Sequence, residues 1–140
     1  MSEPINIAVL VSGGGTNLQA LIDAEAAGSI HSGKIRLVVS NKPGVRALSR
    51  ATDAKIEAAC IPSAGVSGDV FEEKLAAILD EHNIELIVLA GFMKILSADF
   101  IRRYPDRIIN IHPSLIPSFC GDGFYGLKVH EAALAYGVKV

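Results

Sequence analysis

A mostly apolar, β-branched run, Ile5–Val11, leads directly into Ser12-Gly13-Gly14-Gly15-Thr16-Asn17 and then into an amphipathic stretch. No other feature constrains the chain as much. A strand that is apolar along its whole length is buried on both faces, and such strands belong to parallel sheets covered by helices above and below. The alternation repeats downstream. Spacing predicts strands at Ile35–Ser40, Glu57–Ile61, Glu85–Ala90 and Arg107–Ile111. It predicts helices over Asn17–Ala27, closed by Gly28, and over Val45–Ala54, entered after Pro43-Gly44. A further helix over Asp69–His82 has apolar residues at 71, 75, 78 and 79, the spacing of one helical face. Ser97–Tyr104 reads as a short helix capped by Ser97 and stopped by Pro105, and Val129–Tyr136 as another, stopped by Gly137. The expected fold class is α/β, a doubly wound, mostly parallel, Rossmann-like sheet. Ligands of such sheets bind outside the carboxyl ends of the strands.

Composition narrows the function. The 140 residues suit one domain spanning 1–140, and half of them are hydrophobic. A net charge of 13 − 15 = −2 with 20% charged residues excludes a disordered chain. No basic stripe is present for phosphate-backbone contacts, so no nucleic-acid partner is expected. The longest apolar runs, Ile5–Val11 and Leu86–Ala90, fall far short of the ~20 residues that span a bilayer. Met1-Ser2-Glu3-Pro4 lacks the basic start of a secretory signal, and Cys60 and Cys120 stand isolated, so a cytoplasmic location with reduced thiols is expected. Val138-Lys139-Val140 reads as the start of another strand with nothing after it, so the chain is expected to be a fragment, incomplete at its C-terminus.

The glycine loop is the first chemical motif. Glycines allow the backbone to turn tightly and bring its N–H groups close to a ligand. The helix start behind them adds partial positive charge, which suits a phosphate. Gly13, Gly14, Gly15, Thr16 and Asn17 are the candidate substrate-binding residues; the plainer reading is a strand-to-helix turn. A dinucleotide fingerprint would need a glycine where Leu18 stands, and an acidic ribose ligand where Ser40-Asn41-Lys42 stands. A Gly-Lys-Ser/Thr phosphate loop is absent. A mononucleotide-like phosphate remains.

The second motif is Asn110-Ile111-His112-Pro113-Ser114-Leu115-Ile116-Pro117. Period two puts Asn110 and His112 on one face at the carboxyl end of a strand. An imidazole can take and return a proton near pH 7, and an amide NH₂ can donate to an oxygen that becomes negative during acyl transfer. These two are the candidate catalytic residues; the plainer reading gives them turn hydrogen bonds. Ser114 lies in no nucleophile elbow. His31, His82 and His130 show no zinc-ligand spacing, so no metal is expected. The third motif, Gly91-Phe92-Met93-Lys94-Ile95-Leu96, could wall a pocket for a flat ring, or could simply pack against the sheet.

From Ile7 to Val140 the chain resembles the phosphoribosylglycinamide formyltransferases of purine synthesis. Three motifs carry the resemblance, in order and spacing: Ser12–Ala20, Leu89–Leu96 and Asn110–Pro117. The resemblance implies formyl transfer from 10-formyltetrahydrofolate, as co-substrate, to the amine of glycinamide ribonucleotide. It implies that Gly15, Thr16 and Asn17 hold the substrate phosphate region, and that Met93, Lys94, Ile95 and Leu96 line the folate pterin pocket. Asn110 would bind the formyl oxygen, and His112 would move protons between the attacking amine and the leaving nitrogen. A monomer or homodimer is expected, and the sequence does not choose between them. Two departures stand out. Ser67-Gly68-Asp69 occupies the place of a folate-contacting arginine, and the family's catalytic aspartate falls after Val140, so the 140-residue piece is expected to be weakly active at best. Asp122, in the Cys120–Gly126 segment read as a mobile loop over the cleft, is not given the aspartate's role. Two alternatives remain: a formyltetrahydrofolate hydrolase, which usually carries His-His where this chain has His112-Pro113, and a phosphate-binding module without turnover.

Overall fold

A computed structural model describes residues 4–30 and 32–111. His31, His112, Cys120 with the segment to Gly126, the helix expected at 129–136 and the strand expected at 138–140 lie outside the described residues. Among the described residues five strands and four helices alternate: β1 (Ile5–Val11), α1 (Thr16–Ala26), β2 (Gly33–Ser40), α2 (Arg46–Asp53), β3 (Glu57–Cys60), α3 (Gly68–Glu81), β4 (Leu86–Ala90), α4 (Ala98–Arg103) and β5 (Ile108–Ile111). All pairings are parallel, in the order β3-β2-β1-β4-β5. The chain therefore works outward from β1 to β3, then crosses to the other side of β1 for β4 and β5. That reversal opens a crevice between the carboxyl ends of β1 and β4.

Alternating side chains divide the core. On one face Ile7, Val9, Val11, Val88 and Ile109 pack with Leu18 and Leu21 of α1 and with Ala47 and Ala51 of α2. On the other, Ala8, Leu10, Ile87, Leu89 and Ile108 pack with Phe71, Leu75 and Leu79 of α3 and with Phe100 of α4. Burying one such large apolar side chain is worth roughly 1.5–3 kcal/mol. The central strands are covered on both sides, as their apolar runs require.

β2 departs from simple alternation. Ile7 pairs with Ile35 but Ala8 pairs with Leu37, so Arg36 is an extra residue in the ladder. The irregularity moves Leu37 to the face opposite Ile35, although the two are two apart. Arg36 stays exposed, its Nε donating to Asn6 Oδ1 at 3.1 Å, and Glu25 of α1 accepts the Ile35 amide at 2.7 Å. β2 also begins earlier than expected, at Gly33, because the sheet continues to the Ile5–Gly33 pairing. A Cβ at Gly33 would meet Ile7 Cδ1 at 2.7 Å, which keeps this end free of a side chain.

Helix ends follow local chemistry. Ser97 Oγ accepts the Phe100 amide at 3.1 Å and caps α4, as the sequence predicts. Ser67 does the same for α3 through the Val70 amide, at 3.3 Å. After α1, Gly28 takes a φ of 84°, which lets the Ser29 amide return to Ala24 O at 2.8 Å.

Candidate functional site

The glycine loop leaves β1 at the crevice. Gly15 caps α1 with φ +81°, a conformation that favours glycine, and an added Cβ would lie 2.8 Å from both Cα and Cβ of Ala47. Gly15 is thus required by its dihedral and by the close approach of α2. At Gly13 and Gly14 an added Cβ would meet nothing within 4 Å. These two are exposed toward solvent, Thr16 is exposed and Asn17 half-buried. Residues 13–17 together with Ala90 and Gly91 line a cavity of about 140 Å³.

The loop carbonyls are occupied from behind. Gly13 O accepts from the Ala47 amide at 3.2 Å, and Gly14 O from Arg50 Nε at 2.7 Å. In a trans peptide the N–H points opposite to the C=O. The amides of Gly14 and Gly15 are therefore turned away from α2, and the cavity lies on the other flank of the loop, against Ala90 and Gly91. The first turn of α1 adds its own donors. Its ladder begins with Gln19 N to Gly15 O at 2.8 Å, so the amides of Thr16, Asn17 and Leu18 precede any intrahelical acceptor. A short row of N–H groups at a helix N-terminus, with a guanidinium behind it, is a cradle for an oxyanion.

The Gly91–Leu96 segment leaves β4 beside this cradle and divides into two sets of side chains. Phe92 stacks on Phe71 with centroids 6.4 Å apart, and Lys94 Nζ lies 5.4 Å from the Phe71 ring centroid. Leu96 is buried in the α3/α4 core, whereas Met93 and Ile95 are 74% and 89% exposed. Of the four candidate pocket residues, then, Leu96 backs the segment from the core, Lys94 spans an aromatic ring, and Met93 and Ile95 offer apolar surface. Both ends of the segment are fixed. The Met93 amide donates to Ser12 Oγ at 2.8 Å, and Glu72 of α3 accepts from both the amide and the hydroxyl of Ser97 at 2.7 Å.

Asn110 sits near the carboxyl end of β5, opposite Leu89 of β4, and is exposed between buried Ile109 and Ile111. It shares its sheet face with Ile108, the α3/α4 side. Its proposed companion His112 lies outside the described residues, so their mutual geometry is not described.

Sequence reasoning passed over three contributors. Arg50 is half-buried on α2, and its Nη1 also donates to Gln19 Oε1 at 3.2 Å. Ser12 and Asn41 are buried polar groups joined by a 2.5 Å hydrogen bond, and Asn41 Nδ2 donates to Ser63 Oγ at 3.0 Å. The available signal was position: Asn41 follows an apolar strand at the ligand edge of the sheet, where a buried amide needs partners. His82 lies away from this edge. Both its ring nitrogens face acceptors, Ile78 O and Glu57 Oε2, each at 2.9 Å, as befits a structural ion pair. Burial pushes the Cys60 thiol up, away from the reactive thiolate. Among the described residues no group of three or more His, Cys, Asp or Glu gathers as a metal site, and no helix is long and apolar enough to cross a membrane.

Comparison with known proteins supplies the context. The formyl transferase family model matches residues 5–140. The chain is 42% identical over 134 residues to the phosphoribosylglycinamide formyltransferase of Escherichia coli (strain K12), covering 95% of this chain and 60% of that protein. It is 46% identical over 136 residues to the trifunctional purine biosynthetic protein adenosine-3 of Drosophila melanogaster, covering 95% of this chain and 10% of that protein. Among solved structures it resembles the phosphoribosylglycinamide formyltransferase of Coxiella burnetii, with TM-score 0.74 and 45% identity, over 96% of this chain and 61% of that one. The chain thus spans less than two thirds of each of these relatives.

Proposed function

The chain belongs to the formyl transferase family, and from that membership we propose that the whole protein transfers the formyl group of 10-formyltetrahydrofolate to the amine of glycinamide ribonucleotide. One observation carries the reading: the glycine loop and the Gly91–Leu96 segment leave the adjacent strands β1 and β4, and Asn110 lies near the end of neighbouring β5, at the same edge of the parallel sheet. The oxyanion cradle of residues 13–17 takes the ribonucleotide phosphate. The exposed apolar surface of Met93 and Ile95, beside Lys94, takes the folate ring. Asn110 stands on the next strand, at the far side of the folate segment from the cradle.

The chemistry follows from those placements. The substrate amine attacks the formyl carbon, and the carbonyl oxygen becomes an oxyanion. The Asn110 amide donates to that oxygen. His112 accepts the proton released by the amine and delivers it to the folate nitrogen as the tetrahedral intermediate collapses. A donor aimed where charge develops lowers the barrier because it needs no reorganisation at the moment of reaction. The enzyme works in the cytoplasm as a monomer or homodimer and needs no metal.

Formyl transfer by the full-length protein tests the reading. Asn110→Ala should lower turnover about 10²–10³-fold, and His112→Ala about 10²–10⁴-fold. The double variant should lose less than the product of the two, because both groups serve one intermediate. Formate release from 10-formyltetrahydrofolate without the ribonucleotide would replace this reading with a hydrolase. Phosphate binding with no turnover would replace it with a binding module.

A further inference from the structure

We propose that Ser12 is a positioning residue that couples the glycine loop to the Met93–Leu96 segment, so that filling one half of the site strengthens binding in the other. This rests on the two-substrate reading above.

Ser12 and Asn41 are 4% and 5% exposed, so their polar groups must find partners within the protein. The Met93 amide can only donate and Asn41 Oδ1 can only accept, while a serine hydroxyl does both. Ser12 therefore receives the Met93 N–H at 2.8 Å and gives its own proton to Asn41 Oδ1 at 2.5 Å. Asn41 Nδ2 passes the chain on to Ser63 Oγ at 3.0 Å. The opposite orientation of the Asn41 amide would put two donors on Ser12 Oγ and leave its proton without an acceptor. The main chain reinforces the path, with Asn41 N to Val11 O at 3.3 Å and Ser63 N to Asn41 O at 3.1 Å. The loops after β1, β2, β3 and β4 thus meet in one polar chain, buried at its Ser12–Asn41 link, and Ser12 relays it from Met93 to Asn41.

The position of Ser12 gives this chain a role beyond packing. It immediately precedes Gly13, whose carbonyl is tied to α2, and its hydroxyl holds a residue 81 positions away at the start of the other half-site. An anion on the loop amides orders the peptide that carries Ser12. The Met93 amide is ordered with it, so the second ligand meets a segment whose ordering cost has already been met. Removing the hydroxyl breaks this link without touching either ligand-facing surface.

The test uses the full-length protein and calorimetry of glycinamide ribonucleotide, with and without saturating tetrahydrofolate, which cannot transfer a formyl group. In the wild type the folate should tighten binding by about fivefold or more, the range of ordinary coupling between sites. In Ser12→Ala the ratio should fall to near one while circular dichroism stays native. An undiminished ratio in Ser12→Ala, or a ratio of one in the wild type, would overturn the proposal. Should Ser12→Ala fail to fold, hydrogen exchange of the wild-type Met93 amide decides: saturating inorganic phosphate should slow it severalfold, and an unchanged rate counts against coupling. If neither substrate binds, the formyl-transfer reading fails, while the phosphate measurement still reports on Ser12.

Discussion

Arg50 Nε donates to the carbonyl of Gly14 at 2.7 Å, so a cation on α2 fixes the peptide whose amide faces the cavity side of the loop. The same guanidinium reaches Gln19 Oε1 on α1 at 3.2 Å, which ties both ends of the glycine turn to one side chain. Arg50→Ala should raise KM for glycinamide ribonucleotide by roughly 10- to 150-fold, the equivalent of the roughly 1.5–3 kcal/mol of a hydrogen bond to a charged group. KM for the formyl folate should stay near its wild-type value. Steady-state kinetics with each substrate varied in turn makes the comparison, and an equal rise in both constants counts against the role.

Gly14 and Gly15 should respond differently to the same added methyl group. Gly15→Ala forces a Cβ to 2.8 Å from the Ala47 backbone at a φ of +81°. Overpacking of this kind costs about 1–3 kcal/mol, so thermal melts should show a clear fall in Tm. Gly14→Ala meets open space and should melt like the wild type. Its cost should appear as weaker binding of the ribonucleotide, measured by calorimetry.

Glu72 anchors the far end of the Gly91–Leu96 segment. Its carboxylate receives both the amide and the hydroxyl of Ser97, where the Gly91–Leu96 segment meets α4. Glu72→Ala should loosen that end and raise KM for the formyl folate several-fold, with KM for the ribonucleotide little changed. This is the mirror image of the Arg50 result, and the two variants together separate the half-sites.

His82 gives a pH signature unconnected with turnover. The Ile78 carbonyl, above all, raises its pKa; burial opposes this, and the hydrogen bond and charge of Glu57, with the charge of Glu81, add to it. The folded state therefore holds the His82 proton to higher pH than the unfolded chain. The resulting stabilisation is complete below the ordinary histidine value of about 6.5 and fades as pH rises through the folded value. NMR titration of the ring should show the raised midpoint, and Glu57→Gln should lower it. In His82→Ala the fall in stability across that pH window should flatten.

Much of the architecture was legible because it is written in local properties. Apolar β-branched runs set the strands, Ser97 announced the cap of α4, and the glycines after Val11 marked a strand-to-helix turn at the ligand edge. The placement of Asn110 within β5 also follows from the pattern, since Ile108, Ile109 and Ile111 are buried around it. The insertion of Arg36 was not legible. Ile35 and Leu37 look equivalent along the chain and are separated only by the pairing of β2 with β1.

The sequence by itself determined the strand and helix succession, the parallel class of the sheet and the segments able to carry chemistry, because periodicity and backbone freedom act over a few residues. Tertiary structure decided which of those segments became neighbours. The order β3-β2-β1-β4-β5 puts the Gly91–Leu96 segment between the glycine loop and Asn110, although the chain visits β2 and β3 in between. It also decided what holds the site: Ser12 finds Asn41 across 29 positions and Met93 across 81, and Arg50 finds Gly14 across 36. Hydrogen bonds of that reach depend on strand register and helix packing, and they exist only once the sheet has brought its carboxyl ends to one edge.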